Sequence, residues 1–167
     1  EPKEGEFNWE NADKIANFCR ANGIKMRGHC LMWHSQIGKW MTDSPTKEVF
    51  YQRMKNHINA VVSRYKDVVY AWDVVNEAIA DDNMMFRGFR PGGPAPSPYR
   101  QSRHFELCGD EFIAKAFEFA READPTGVLI YNDYSTVDEG KRERIYNMVK
   151  KMKDAGVPID GIGMQGH

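Results

Sequence analysis

Apolar residues along this chain alternate between a helical spacing and the near-continuous runs of buried strands. Within residues 8–22, Ala12, Ile15, Ala16, Phe18 and Cys19 fall on one side of a helix that Gly23 stops. Residues 24–33 read as a strand. A second helix is predicted to begin at Ser44-Pro45-Thr46, since Ser suits the N-cap and Pro the first turn. It carries Val49, Phe50, Met54, Ile58, Val61, Val62 and Tyr65 at spacings of three and four. Residues 68–76 form the second strand, almost wholly apolar, as parallel strands covered on both faces are. A third helix is predicted over 110–123, stopped by Asp124-Pro125, with a third strand over 127–132. A fourth helix spans 138–155, and Gly156-Val-Pro leads into a fourth strand over 159–165. Between 81 and 109 nothing supports regular structure, and a loop of that length in a compact domain is usually functional or mobile. The order αβαβαβαβ, with short connections, predicts an α/β fold with a parallel sheet and right-handed crossovers.

Such winding sets every strand's carboxyl end on one face, which is where α/β proteins place ligands. The first end offers His29, Trp33, His34 and Gln36, the second Asn76 and Glu77. The third offers Tyr131-Asn132-Asp133-Tyr134 and the fourth Gln165-Gly166-His167. Glu77, directly after the apolar run, is a candidate proton donor or nucleophile; a helix-capping carboxylate is the plainer alternative.

Composition narrows the partners. A formal charge of -1 over 167 residues gives no reason to expect a nucleic acid or an anionic membrane, and no apolar run approaches a membrane span. Twelve per cent aromatic residues, four Trp among them, suit a flat, partly apolar ligand such as a sugar ring as well as a core. Cys19, Cys30 and Cys108 have neither an even count nor a metal-ligand spacing, so buried free thiols are expected.

Four motifs then coincide. Gly28-His-x-x-x-Trp-His-Ser-Gln36, Trp72-Asp-Val-Val-Asn-Glu77, Tyr131-Asn-Asp-Tyr134 and Gly161-Ile-Gly-x-Gln-Gly-His167 resemble the signatures of glycoside hydrolase family 10, the endo-β-1,4-xylanases. Arg53-Met-Lys-Asn-His-Ile58 and Gly156-Val-Pro-Ile-Asp-Gly-Ile162 are also similar to that family, so the resemblance covers nearly the whole chain.

The resemblance implies a (β/α)8 TIM barrel of which residues 1–167 are a partial catalytic domain. They would supply about strands three to six with their helices, truncated at both ends. It implies retaining hydrolysis of xylan with neither cofactor nor metal. Glu77 falls on the acid/base, for which a raised pKa would suit both steps. Asn76 falls on the group that meets the sugar 2-hydroxyl, and His29, Trp33 and Gln36 on the glycone side. Asn132 and Tyr134 fall on the aglycone side, and Gln165 and His167 on groups that hold the nucleophile and the sugar. The family's nucleophile lies in a Thr-Glu-Leu-Asp-like run on the seventh strand, beyond these residues. Because retention needs two carboxylates about 5–5.5 Å apart, the isolated chain is expected to be inactive. Self-association, or a complementary chain completing the barrel, is expected at the open strand edges. Secretion is expected from the family.

Two departures stand out. Residues 84–98 look like an insertion whose Arg87 and Arg90, with Arg100 just beyond, would suit acidic xylan substituents, and His104 stands where the family commonly has Trp. Two other readings compete: a non-catalytic xylo-oligosaccharide-binding fragment, and a metal-dependent hydrolase using His29, His34 and His167. The second has no carboxylate at a supporting spacing.

Overall fold

The computed structural model describes residues 1–43, 46–82 and 96–166. The alternation is realised as α1 (Glu10–Asn22), β1 (Met26–Trp33), α2 (Lys39–Thr42), α3 (Lys47–Tyr65) and β2 (Val69–Asn76). There follow α4 (Arg103–Cys108), α5 (Glu111–Ala123), β3 (Val128–Asp133), α6 (Glu139–Asp154) and β4 (Gly161–Met164). The four strands make one all-parallel sheet in the order β1-β2-β3-β4, each laid beside its predecessor.

The core lies between the sheet and its helices. α3 turns Phe50, Met54, Ile58, Val62 and Tyr65 inward, and α5 turns Phe112, Ile113, Ala116, Phe117 and Ala120. They close over β2, whose Val74 and Val75 are fully buried. Burial on this scale is the main favourable term in folding. Gly28 pairs in register with Trp72, and a Cβ at Gly28 would fall inside the Trp72 indole ring. The glycine of the first motif therefore makes room for the tryptophan of the second.

Several local expectations are corrected. The cap of α3 is Thr46, whose hydroxyl accepts from Val49 N–H at 3.4 Å. Ser44 and Pro45 lie outside the described residues. α1 begins at Glu10 and buries only Ala16 and Cys19, leaving Ile15 and Phe18 exposed. It is tied instead by ion pairs, Asp13 to Arg64 and Arg20 to Asp67. The stretch after β2 is not wholly irregular: Ser102 accepts from Phe105 N–H at 3.2 Å and starts α4. That cap was legible as Ser followed by Arg-His-Phe-Glu, but the Gly- and Pro-rich run before it masked the signal. Residues 84–95 of the presumed insertion, with Arg87 and Arg90, lie outside the described residues. β4 is shorter than expected, though Gln165 N–H still donates to Asp133 C=O at 2.9 Å. All three cysteines are free, Cys19 and Cys108 buried and Cys30 half-buried. Among the described residues no helix is long and apolar enough to cross a membrane.

Candidate active site

The strand ends meet around Glu77. Its backbone is left-handed, φ 58°, a region that non-glycine residues seldom occupy. Local bonds hold it there. Glu77 N–H donates to Asn132 C=O at 2.9 Å, and its own C=O accepts from Arg100 Nε at 2.9 Å. The following two amides, Ala78 and Ile79, both donate to the Tyr131 hydroxyl, at 3.0 and 3.1 Å.

Two strands reach the carboxylate, and a third reaches the Asn76 beside it. Trp33, at the end of β1, donates Nε1–H to Oε2 at 2.9 Å. Gln165, just past β4, donates Nε2–H to Oε1 at 3.0 Å and to Asn76 Oδ1 at 3.1 Å. Asn132 donates Nδ2–H to the same Asn76 oxygen at 2.8 Å. Asn76 and Asn132 are both buried, so each amide is fixed by its neighbours.

Burial pushes the Glu77 carboxyl upward, but the donors from Gln165 and Trp33, with His34 nearby, outweigh it. The carboxyl is held below the usual glutamate range. The expectation of a raised pKa leaned on partial burial and on a second carboxylate that the resemblance places on the seventh strand; among the groups of this chain burial does push upward, but the donors win. In this chain both Glu77 oxygens face donors instead, and donors favour the ionised form.

The other acids near the strand ends are engaged elsewhere. Asp73 accepts from Arg27 Nε at 3.0 Å and lies 3.0 Å from His29 Nδ1. Asp133 accepts from the Tyr131 hydroxyl and pairs with Lys141 at 2.9 Å. Asp81 pairs with Lys141 at 2.7 Å and accepts from the Tyr134 hydroxyl. None of the three is free to act as a nucleophile on a sugar held at Glu77.

The remaining predicted residues sort by position. His29, Trp33 and Gln36 line a cleft of about 300 Å³ together with Cys30, Trp40 and His57. Burial pushes the Cys30 thiol up to about 12 there, with the Asp73 and Glu77 charges adding to it, so it stays protonated. Tyr134 is half-buried; Lys141 Nζ lies 3.5 Å from its ring centroid and covers one face, and its hydroxyl also accepts from Arg100 at 3.0 Å. His167 lies outside the described residues. Among the described residues no cluster of three His, Cys, Asp or Glu is placed to hold a metal.

Sequence reasoning missed Arg27 and Lys141 as parts of the site, and named Tyr131 only within its strand-end motif, with no role. Lys141 left a readable signal: it lies on the apolar stripe of α6 with Ile145, Met148 and Met152, where a lysine is out of character. Arg27 left none, because a single arginine in a strand does not announce its partner.

Comparison with known proteins bears directly on these strand ends. The family model for glycosyl hydrolase family 10 matches residues 1–167. The chain belongs to this family. An endo-1,4-beta-xylanase/feruloyl esterase of Xylanibacter ruminicola is 76% identical over 172 residues, covering 99% of this chain and 24% of that protein. A psychrophilic family 10 endo-beta-1,4-xylanase superposes with a TM-score of 0.91 at 62% identity, covering 100% of this chain and 52% of that structure. A Paenibacillus barcinonensis xylanase complexed with a conduramine derivative superposes with a TM-score of 0.88 at 44% identity, covering 99% and 48%. The chain thus spans about half the length of these solved relatives. Its open four-stranded parallel sheet is a partial barrel of the (β/α)8 family, as the motifs implied.

Proposed function

We propose that this chain is the central part of a retaining endo-β-1,4-xylanase, with Glu77 as the general acid/base. The observation that carries the reading is the convergence of Trp33 from β1 and Gln165 from β4 on one carboxylate, with Gln165 also holding Asn76 beside it. Glu77 gives its proton to the leaving glycosidic oxygen and then, ionised, takes one from the attacking water. Its donors favour the ionised form that the second step needs. The first step needs a proton on Glu77, and a nucleophilic carboxylate about 5–5.5 Å away raises the affinity for that proton. That carboxylate has to come from a strand other than the four described.

Asn76, fixed by Asn132 and Gln165, is the group placed to meet a sugar hydroxyl beside the bond that breaks. His29, Trp33 and Gln36 form the wall on the β1 side, which we assign to the glycone sugars. Tyr134, on the β3 side, is assigned to the aglycone sugars. Xylan is the substrate, in line with the xylanases to which the chain is similar and with a related Thermotoga petrophila xylanase solved with xylobiose.

The test uses a complete barrel, made by substituting this chain for the matching segment of the Xylanibacter ruminicola relative. That chimera should hydrolyse xylan, and Glu77→Gln should lower kcat/KM by roughly 10²–10⁴-fold. Activity that survives Glu77→Gln would remove the assignment. The 167-residue chain alone should show no turnover. If it binds xylo-oligosaccharides, and Trp33→Ala weakens that binding more than Glu77→Gln does, the binding-fragment reading gains instead.

A further inference from the structure

We propose that Tyr131, backed by Asp133 and Lys141, is a positioning residue that sets where the Glu77 carboxyl points. The proposal rests on the acid/base reading of Glu77 and extends it to a layer that touches no sugar.

Tyr131 is wholly buried, and its hydroxyl has an unusual load. It accepts two consecutive backbone N–H groups, those of Ala78 and Ile79, and donates its own hydrogen to Asp133 Oδ2. A hydroxyl has one donor and two acceptor lone pairs, so its capacity is filled. The two amides it holds belong to the residues directly after Glu77. Together with Arg100 on the Glu77 carbonyl, they fix the chain on the exit side of a left-handed residue. Losing them removes two of the restraints that hold Glu77 at positive φ, beside Arg100 N–H on the Ala78 carbonyl at 2.8 Å, and a return of Glu77 to negative φ would re-aim its side chain.

Asp133 and Lys141 make the hydroxyl point one way. Asp133 is fully buried, and its other oxygen accepts from Tyr134 N–H at 2.9 Å and from Lys141 Nζ at 2.9 Å. Lys141, 1% exposed, also reaches Asp81 at 2.7 Å, four residues past Glu77. An acceptor that cannot donate in return forces the phenol to give its hydrogen to Asp133 and keep both lone pairs for the amides. Buried charge is costly to maintain unless every partner is in place, and here every partner borders the segment that carries the acid.

The test separates positioning from mere support. In the chimera described above, kcat/KM is measured for aryl xylobiosides that differ only in the leaving group. A 2,4-dinitrophenolate departs without protonation, whereas a phenolate needs the acid. Tyr131→Phe should lower kcat/KM on the phenyl substrate by roughly 10–100-fold and on the dinitrophenyl substrate by less than about threefold, the signature of an acid moved by about 1 Å. Asp133→Asn, which keeps the side chain's volume, should give the same selective loss and serves if Tyr131→Phe does not fold. Equal losses on both substrates, no loss on either, or failure of both variants to fold would overturn the proposal. A parent chimera inactive on both substrates would instead overturn the acid/base reading, and this inference with it.

Discussion

Gln165 donates one Nε2 group to both Glu77 Oε1 and Asn76 Oδ1, at 3.0 and 3.1 Å, and so ties the end of β4 to the end of β2. The strands are not neighbours; β3 lies between them. A side chain from two strands away thus helps to set the state of the candidate acid, as Trp33 does from the opposite side. Burial raises the affinity of Glu77 for a proton, and these two donors, with the His34 charge and Asn76, reverse the sign. Removing one should move the balance back. Trp33→Phe keeps the ring and deletes the Nε1–H donor, so the Glu77 pKa should rise above its value in the parent chain. A ¹³C carboxyl titration by NMR reads this directly, and an unchanged or lower value would show that the Trp33 bond is not what holds it down.

The contact between Gly28 and Trp72 gives a stability prediction. Gly28→Ala drives a methyl into the Trp72 indole, a rigid ring packed inside the core. Overpacking of this kind costs typically about 1–3 kcal/mol, which lowers Tm by roughly 2–10 °C for a chain of this size. Gly166→Ala is the control, since a Cβ there meets no atom within 4 Å and its φ is not in the left-handed region. Equal melting curves for the two variants would dispose of the idea.

These cases show where the sequence was legible. The β2 run and the α3 stripe were readable because burial on one or both faces imposes a pattern on every residue of the element. Glu77 was readable because strand direction alone puts it on the ligand face. The pairing of Gly28 with Trp72, 44 positions apart, was not, although both lie inside quoted motifs. A motif reports residue types and says nothing of which side chains touch. The sign of the Glu77 shift was illegible for the same reason: it is a balance between burial and particular donors. Lys141 is intermediate, a charge on an apolar stripe that pointed to a buried partner without naming Asp133 or Asp81.

The sheet leaves the outer edges of β1 and β4 without a strand beside them among the described residues. Ile162 and Met164 on β4 are exposed at 42% and 71%. Unpaired strand edges flanked by exposed apolar side chains recruit other chains. The 167-residue chain is therefore expected to associate with itself, and light scattering should show mass rising with concentration above 19.2 kDa. Ile162→Lys should suppress the rise. A constant monomer mass across the concentration range would refute this.

His104 sets an acid limit on the fold. It is 2% exposed, lies between Phe50 and Phe112 at 5.4 Å from each ring centroid, and its Nε2 has no hydrogen-bond partner among the described residues. Burial, with a smaller contribution from the charge of His34, pushes its pKa down to about 4 from an ordinary 6.5. The folded chain therefore resists a proton that the unfolded chain accepts. The associated stability is fully present above pH 6.5 and declines as pH falls toward about 4, below which both states carry the proton. At about 1.4 kcal/mol per pH unit, the loss across that window is on the order of 3 kcal/mol. His104→Phe fills the same aromatic slot with nothing to protonate. Urea unfolding at pH 7.5 and at pH 4.5 should show the parent losing substantially more stability between the two than the variant does. Equal losses would mean that His104 is not the group responsible, and would leave acid stability to the other shifted groups, the half-buried His34 and the paired carboxylates among them.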